Sequence, residues 1–107
     1  MRVQQHIVNL TDPEKEQYSK YLDNKLKGVT ELVKKHYPDM DTAKMDVKME
    51  KINKRTVFKF KYRLELPKAR KPISGEGAKH TITECMDEAT KKLERNVRDH
   101  FKVLARE

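Results

Sequence analysis

A stripe of apolar residues near the C-terminus constrains this chain most: Ile82, Cys85, Met86, Ala89, Leu93, Val97, Phe101 and Leu104 recur mainly at steps of three and four. An α-helix brings residues at that spacing onto one face, so the pattern predicts one long helix from Thr81 to Leu104. Thr81 and Glu84 stand at the spacing of a capping box, in which each side chain accepts the other residue's free backbone N–H. Glu84, Asp87 and Glu88 fall in the first turns, and Lys91, Lys92, Arg95, Arg98 and Lys102 come later, the order that complements the helix dipole. Such a helix needs an apolar surface to lie on, and the rest of the chain must supply it.

Upstream, Thr11-Asp12-Pro13 predicts the start of another helix, with a cap from Thr11 or Asp12 and a proline in the first turn, where its missing N–H costs nothing. Tyr18, Tyr21, Leu22, Leu26, Val29, Leu32 and Val33 share its apolar face, while Gly28 weakens the helix without breaking the pattern. The helix should end near His36, because Pro38 disfavours helical geometry at Tyr37.

The remaining segments alternate. Met1 to Asn9 is expected as a first strand, although Gln5 interrupts the pattern of Val3 and Ile7. After a Pro38-Asp39 turn, Ala43, Met45, Val47 and Met49 alternate with Lys44, Asp46, Lys48 and Glu50, the signature of a half-buried strand. Asn53, Lys54 and Arg55 are expected to turn the chain. Phe58, Phe60, Tyr62, Leu64 and Leu66 then alternate with Lys59, Lys61, Arg63 and Glu65. Pro67 to Pro72 is a basic loop unsuited to a central strand. Ile73 to Lys79 is expected as a glycine-containing strand. The order is β-α-β-β-β-α: an α+β fold, with a four-stranded sheet, two helices packed on one face and a charged opposite face.

With 107 residues, of which 36% are apolar and 39% charged, the chain suits a single domain over residues 1–107 with a thin core. Its one cysteine, Cys85, cannot form an internal disulfide, and its place on the stripe argues for a packed thiol rather than a nucleophile. No apolar run approaches the roughly 20 residues of a membrane span, and the N-terminus lacks a signal-peptide core. A cytoplasmic protein is expected.

Nine basic residues and one acid lie between Lys51 and Lys71, so this segment carries the whole net charge of +8, and the remaining 16 basic and 16 acidic residues cancel. Lysines on an exposed strand also guard an edge and aid solubility. An excess concentrated in one segment points further, to a polyanion-binding surface. Lys59, Lys61 and Arg63 stand at alternate positions, about 7 Å apart at roughly 3.3 Å per residue, which is comparable to the spacing of backbone phosphates.

Phe58, Phe60 and Tyr62 invite comparison with an RNA-stacking platform. Their continuation into Leu64 and Leu66 assigns them to the core instead. His6, His36, His80 and His100 are scattered and Cys85 has no second cysteine, so no metal site is expected. Gly75-Glu76-Gly77 is too little for a phosphate-cradling loop, and no G-x-x-x-x-G-K-[ST] run occurs. No cofactor and no small-molecule substrate are expected.

Ile82, Met86 and Asp87, then Lys92-Leu93-Glu94-Arg95, Val97 and His100, resemble the last helix of the bacterial ribosome hibernation-promoting factor family, also called ribosome-associated inhibitor A or sigma-54 modulation proteins. That helix typically carries an isoleucine-aspartate pair and a K-L-x-R-x-L run. Tyr21-Leu22-Asp23-Asn24-Lys25-Leu26 is similar to the family's first helix, and the element order matches. The first strand is more polar than is usual there, and Pro67 to Pro72 is longer and more basic than the usual glycine-bearing turn. The chain carries no extension of the kind through which long-form members pair ribosomes, so it resembles the short form.

The resemblance implies a non-enzymatic factor that binds small-subunit ribosomal RNA near the decoding region and silences ribosomes by blocking the messenger and transfer RNA sites. It implies RNA contact by Lys92 and Arg95. The charge pattern adds Lys59, Lys61, Arg63 and Arg98, and also Lys68, Arg70 and Lys71 of the loop. One rival is a regulatory module binding an acidic protein partner through the same basic surface. Another is an enzyme acting on RNA, against which stand the missing G-G-Q motif and the lack of an evident acid and base pair. A membrane partner is not expected.

Overall fold

A computed structural model describes the chain except for residues 39, 53–56, 68, 70 and 107. The order is β1 (Arg2–Val8), α1 (Asp12–His36), a 3-10 turn (Met40–Thr42), β2 (Lys44–Ile52), β3 (Val57–Glu65), β4 (Ile73–Lys79) and α2 (Ile82–Arg106). This is the expected β-α-β-β-β-α arrangement. The four strands lie in the order β1-β2-β3-β4, with β1 parallel to β2 and the other neighbours antiparallel. The expected turns at Asp39 and at Asn53 to Arg55 lie outside the described residues, as does the side chain of Leu104.

Local chemistry sets the helix ends. Thr11 is the N-cap of α1: its hydroxyl accepts from Glu14 N at 3.4 Å, and Glu14 Oε1 accepts from Thr11 N at 2.9 Å. Tyr37 closes the last turn through its N–H to Val33 O at 2.8 Å and then leaves the helical region, as a residue before proline favours. In α2, Thr81 Oγ1 accepts from Glu84 N at 3.2 Å. Between β1 and α1, Asn9 turns the chain at a φ of 63°, a left-handed position that asparagine tolerates better than most residues.

Both helices cover one face of the sheet. Tyr18, Leu22, Val29 and Val33 of α1 and Ile82, Cys85, Met86, Ala89, Leu93 and Val97 of α2 are buried with the inward side chains of β2, β3 and β4. Phe58, Phe60 and Tyr62 belong to this core, and the Tyr18 ring meets Phe60 edge-on, with centroids 5.8 Å apart. Helix α2 lies so close to β4 that a Cβ on Gly75 would fall 2.5 Å from Ala89 O and Leu93 N. The two glycines of β4 therefore serve packing rather than phosphate binding.

The first strand contributes least: none of its residues is buried. Val3, Gln5 and Ile7 pair with Met45, Val47 and Met49 and so share the helix side of the sheet. The helices cover β2 to β4 and leave that side of β1 at the rim.

Candidate nucleic-acid interface

Strand alternation puts Lys59, Lys61 and Arg63 on the face of the sheet opposite the helices, and all three are exposed. The register decides what stands beside them. Lys59 faces Glu50, Arg63 faces Asp46, and Lys44 faces Glu65. Lys61 faces Lys48, with Glu76 on its other side, and His6 of β1 stands beside Lys48. Arg63 Nε also lies 3.4 Å from Glu65 Oε1. The face is thus a mosaic of both signs, with two lysines directly opposed at its centre.

Like charges directly opposed across a strand pair are unfavourable, and an anion between them relieves the repulsion. Among the described residues, Lys48, Lys59 and Lys61 have no ion-pair partner. They line a shallow depression of about 210 Å³ together with Glu50 and Glu76. A phosphate group in this depression would meet three lysine and two glutamate side chains, a lining with one net positive charge.

The candidates on α2 form a separate surface. Lys92, Arg95 and Arg98 are exposed on the side of the helix away from Leu93 and Val97. Lys92 Nζ is 3.8 Å from Glu88 Oε1, and Arg98 Nη2 is 3.6 Å from Glu94 Oε2. Glu88 is committed elsewhere, accepting the Ala78 N–H at 3.2 Å and pairing with Lys79 at 3.2 Å. The Ala78 N–H, followed by Lys79, holds its carboxyl below the usual range. Arg95 has no ion-pair partner among the described residues. Exposed pairs of this kind are worth little and exchange readily for contacts to a ligand.

The sheet and its covering helices separate the two groups, so Lys59, Lys61 and Arg63 do not share a surface with Lys92, Arg95 and Arg98. Lys71 is exposed in the loop before β4, while Lys68 and Arg70 lie outside the described residues. Lys51 belongs to neither surface. It sits on the helix side, with Nζ 3.2 Å from Glu14 Oε2 and 5.8 Å from the centre of the Phe58 ring.

Lys48 is the residue that a count of charges along the chain misses. Its alternation with Met49 places it on the open face, but its position opposite Lys61 depends on the pairing of two strands. No sequence spacing encodes that. Cys85 is packed, its thiol donating to Gly77 O at 3.2 Å and pushed up to about 11 by burial. Among the described residues, no group of three or more His, Cys, Asp or Glu side chains is placed to hold a metal ion. No helix among them is long and apolar enough to cross a membrane.

No family model matches the chain, and no curated protein matches it. Solved structures do. A ribosomal subunit interface protein from Coxiella burnetii superposes with a TM-score of 0.59 at 16% identity, over 94% of this chain and 97% of that one. The Protein Y N-terminal domain of Thermus thermophilus superposes with a TM-score of 0.60 at 18% identity, over 94% and 99%. The fold expected from the resemblance to the hibernation-promoting factor family is the fold of these two proteins, matched along almost the whole of each chain.

Proposed function

We propose that this chain belongs to the ribosome hibernation-promoting factor family and is a ribosome-binding domain that acts without catalysis. It binds the small ribosomal subunit through ribosomal RNA near the decoding region and inhibits translation by occupying the sites of messenger and transfer RNA. The observation that carries this reading is the near-complete overlap with two solved structures, one named for the ribosomal subunit interface. The central lysines Lys48, Lys59 and Lys61 supply compatible chemistry, being cations without ion-pair partners among the described residues that line one depression of the open face.

In this reading Lys59, Lys61 and Arg63 carry the larger share of the RNA contact. Lys92, Arg95 and Arg98 add contacts from the opposite side, as suits a small domain held within an RNA-walled channel. Lys68, Arg70 and Lys71 are assigned a smaller share of the contact on charge alone. The partner is cytoplasmic, and steric occupancy requires neither cofactor nor reaction.

The test is sedimentation of the protein with ribosomes and separated subunits at low and moderate salt, beside a Lys59→Glu, Lys61→Glu, Arg63→Glu variant. Co-sedimentation with the small subunit that weakens with salt and in the variant is expected. Equal binding by both proteins moves the site to α2 or to the basic loop. No binding at low salt overturns the proposal, and binding to an acidic protein that survives nuclease would then favour the interaction module.

A further inference from the structure

Strand β1 is an edge strand with an open side. The sheet ends at β1, whose only strand neighbour among the described residues is β2. Arg2 N donates to Ala43 O at 3.0 Å, which fixes the direction of every backbone group in the strand. Arg2, Gln4, His6 and Val8 turn their N–H and C=O toward β2, so Val3, Gln5 and Ile7 turn theirs outward. The side chains of those three lie on the helix side, where Val3 and Ile7 remain 36% and 38% exposed. Edges in soluble proteins are commonly guarded by proline, lysine or an inward-pointing charge. The outward positions of this edge carry none of these.

We infer that β1 pairs with β1 of a second copy, antiparallel about a two-fold axis at Gln5, joining two four-stranded sheets into one of eight strands. The register is selected by the strand itself. An antiparallel ladder centred on Gln5 sets Gln5 against its own copy and Val3 against Ile7, so every outward N–H and C=O of these residues gains a partner. It also sets Val3 on Ile7 twice on the helix side, covering the two exposed β-branched side chains. Arg2 then faces Val8, and Gln4 faces His6, so no cation opposes another. Centring the ladder on Gln4 instead would set Arg2 against His6, and centring it on His6 would set the two imidazoles together.

The contact is small. Seven residues on each side compare with roughly 20 to 30 in a standard interface. The net charge of +8 on each copy opposes association. The dimer therefore forms at high protein concentration and is favoured by salt, the opposite salt dependence to RNA binding. The inference does not rest on the ribosomal reading.

The experiment is sedimentation equilibrium of nuclease-treated protein across a wide concentration range, with residue-resolved amide exchange at each end of the range. A monomer–dimer equilibrium is expected, strengthened by salt, in which the amides of Val3, Gln5 and Ile7 become protected only at high concentration. Gln5→Pro removes an outward donor from each copy without touching the bonds to β2, and should weaken association by about tenfold or more. Ile7→Lys places an exposed charge at the contact and should do the same; it decides the matter if Gln5→Pro does not fold. A monomer at all concentrations overturns the inference. So does a dimer indifferent to Ile7→Lys, or one in which those three amides stay unprotected.

Discussion

Tyr62 Oη of β3 lies 2.9 Å from Thr90 Oγ1 of α2, in the buried seam between sheet and helix. Thr90 Oγ1 donates to Met86 O at 2.6 Å, so Tyr62 is the donor to Thr90. Burial pushes the Tyr62 hydroxyl up to about 12. Thr90→Val should cost about 1 to 3 kcal/mol, because it strands a buried hydroxyl. Tyr18→Phe should have the opposite sign. Tyr18 Oη is buried with no hydrogen-bond partner among the described residues, and its removal should be neutral or stabilising by up to about 1 kcal/mol. Urea denaturation of the two variants checks the contrast.

Two glycines give a second contrast. Gly75→Ala drives a methyl group into the α2 backbone at Ala89 and Leu93 and should destabilise by about 1 to 3 kcal/mol or more. Gly28 is exposed in the middle of α1, and a methyl group there would meet nothing within 4 Å. Gly28→Ala should therefore stabilise by about 1 kcal/mol through helix propensity alone. Thermal denaturation should show the two midpoints moving in opposite directions.

The contact between the helices should respond to pH. Asp87 of α2 accepts from Tyr21 Oη and pairs with Lys25 Nζ of α1 at 2.7 Å. Lys25, followed by Tyr21, holds the Asp87 carboxyl below its usual range. The Thr11 N–H at the capping box, followed by Lys51, lowers Glu14 in the same way. A carboxyl depressed on folding stabilises above its unfolded value, near 4, and that contribution is lost as pH falls through the folded value. The urea midpoint of the native sequence should therefore fall below about pH 4. With Asp87→Asn the fall should be shallower, from a lower starting point at neutral pH.

Affinity for small subunits tests the RNA contact proposed for the open face. Lys48→Gln should weaken binding and reduce the slope of log affinity against log salt by about one, as expected for one lost phosphate contact. Lys51→Gln, which alters a lysine engaged on the helix side with Glu14, should lower stability slightly and leave the slope unchanged. Filter binding of both variants to small subunits over a range of salt gives the comparison.

The elements were legible along the chain. Helix stripes, caps and strand alternation are properties of neighbours within one segment, so α1, α2 and β4 could be placed to within a residue or two from periodicity and end signals. Alternation likewise assigned Phe60 and Tyr62 to the core and Lys59, Lys61 and Arg63 to the open face. Tertiary structure decided what those residues meet. Register set Lys48 against Lys61 and gave Lys59 and Arg63 acidic neighbours, so the basic segment became a mosaic rather than a uniform field. The sheet divided the RNA-binding candidates between two sides, and the helices left β1 uncovered. Side-chain parity is local, whereas pairing partners are chosen by packing over long separations, and no spacing along one strand records that choice.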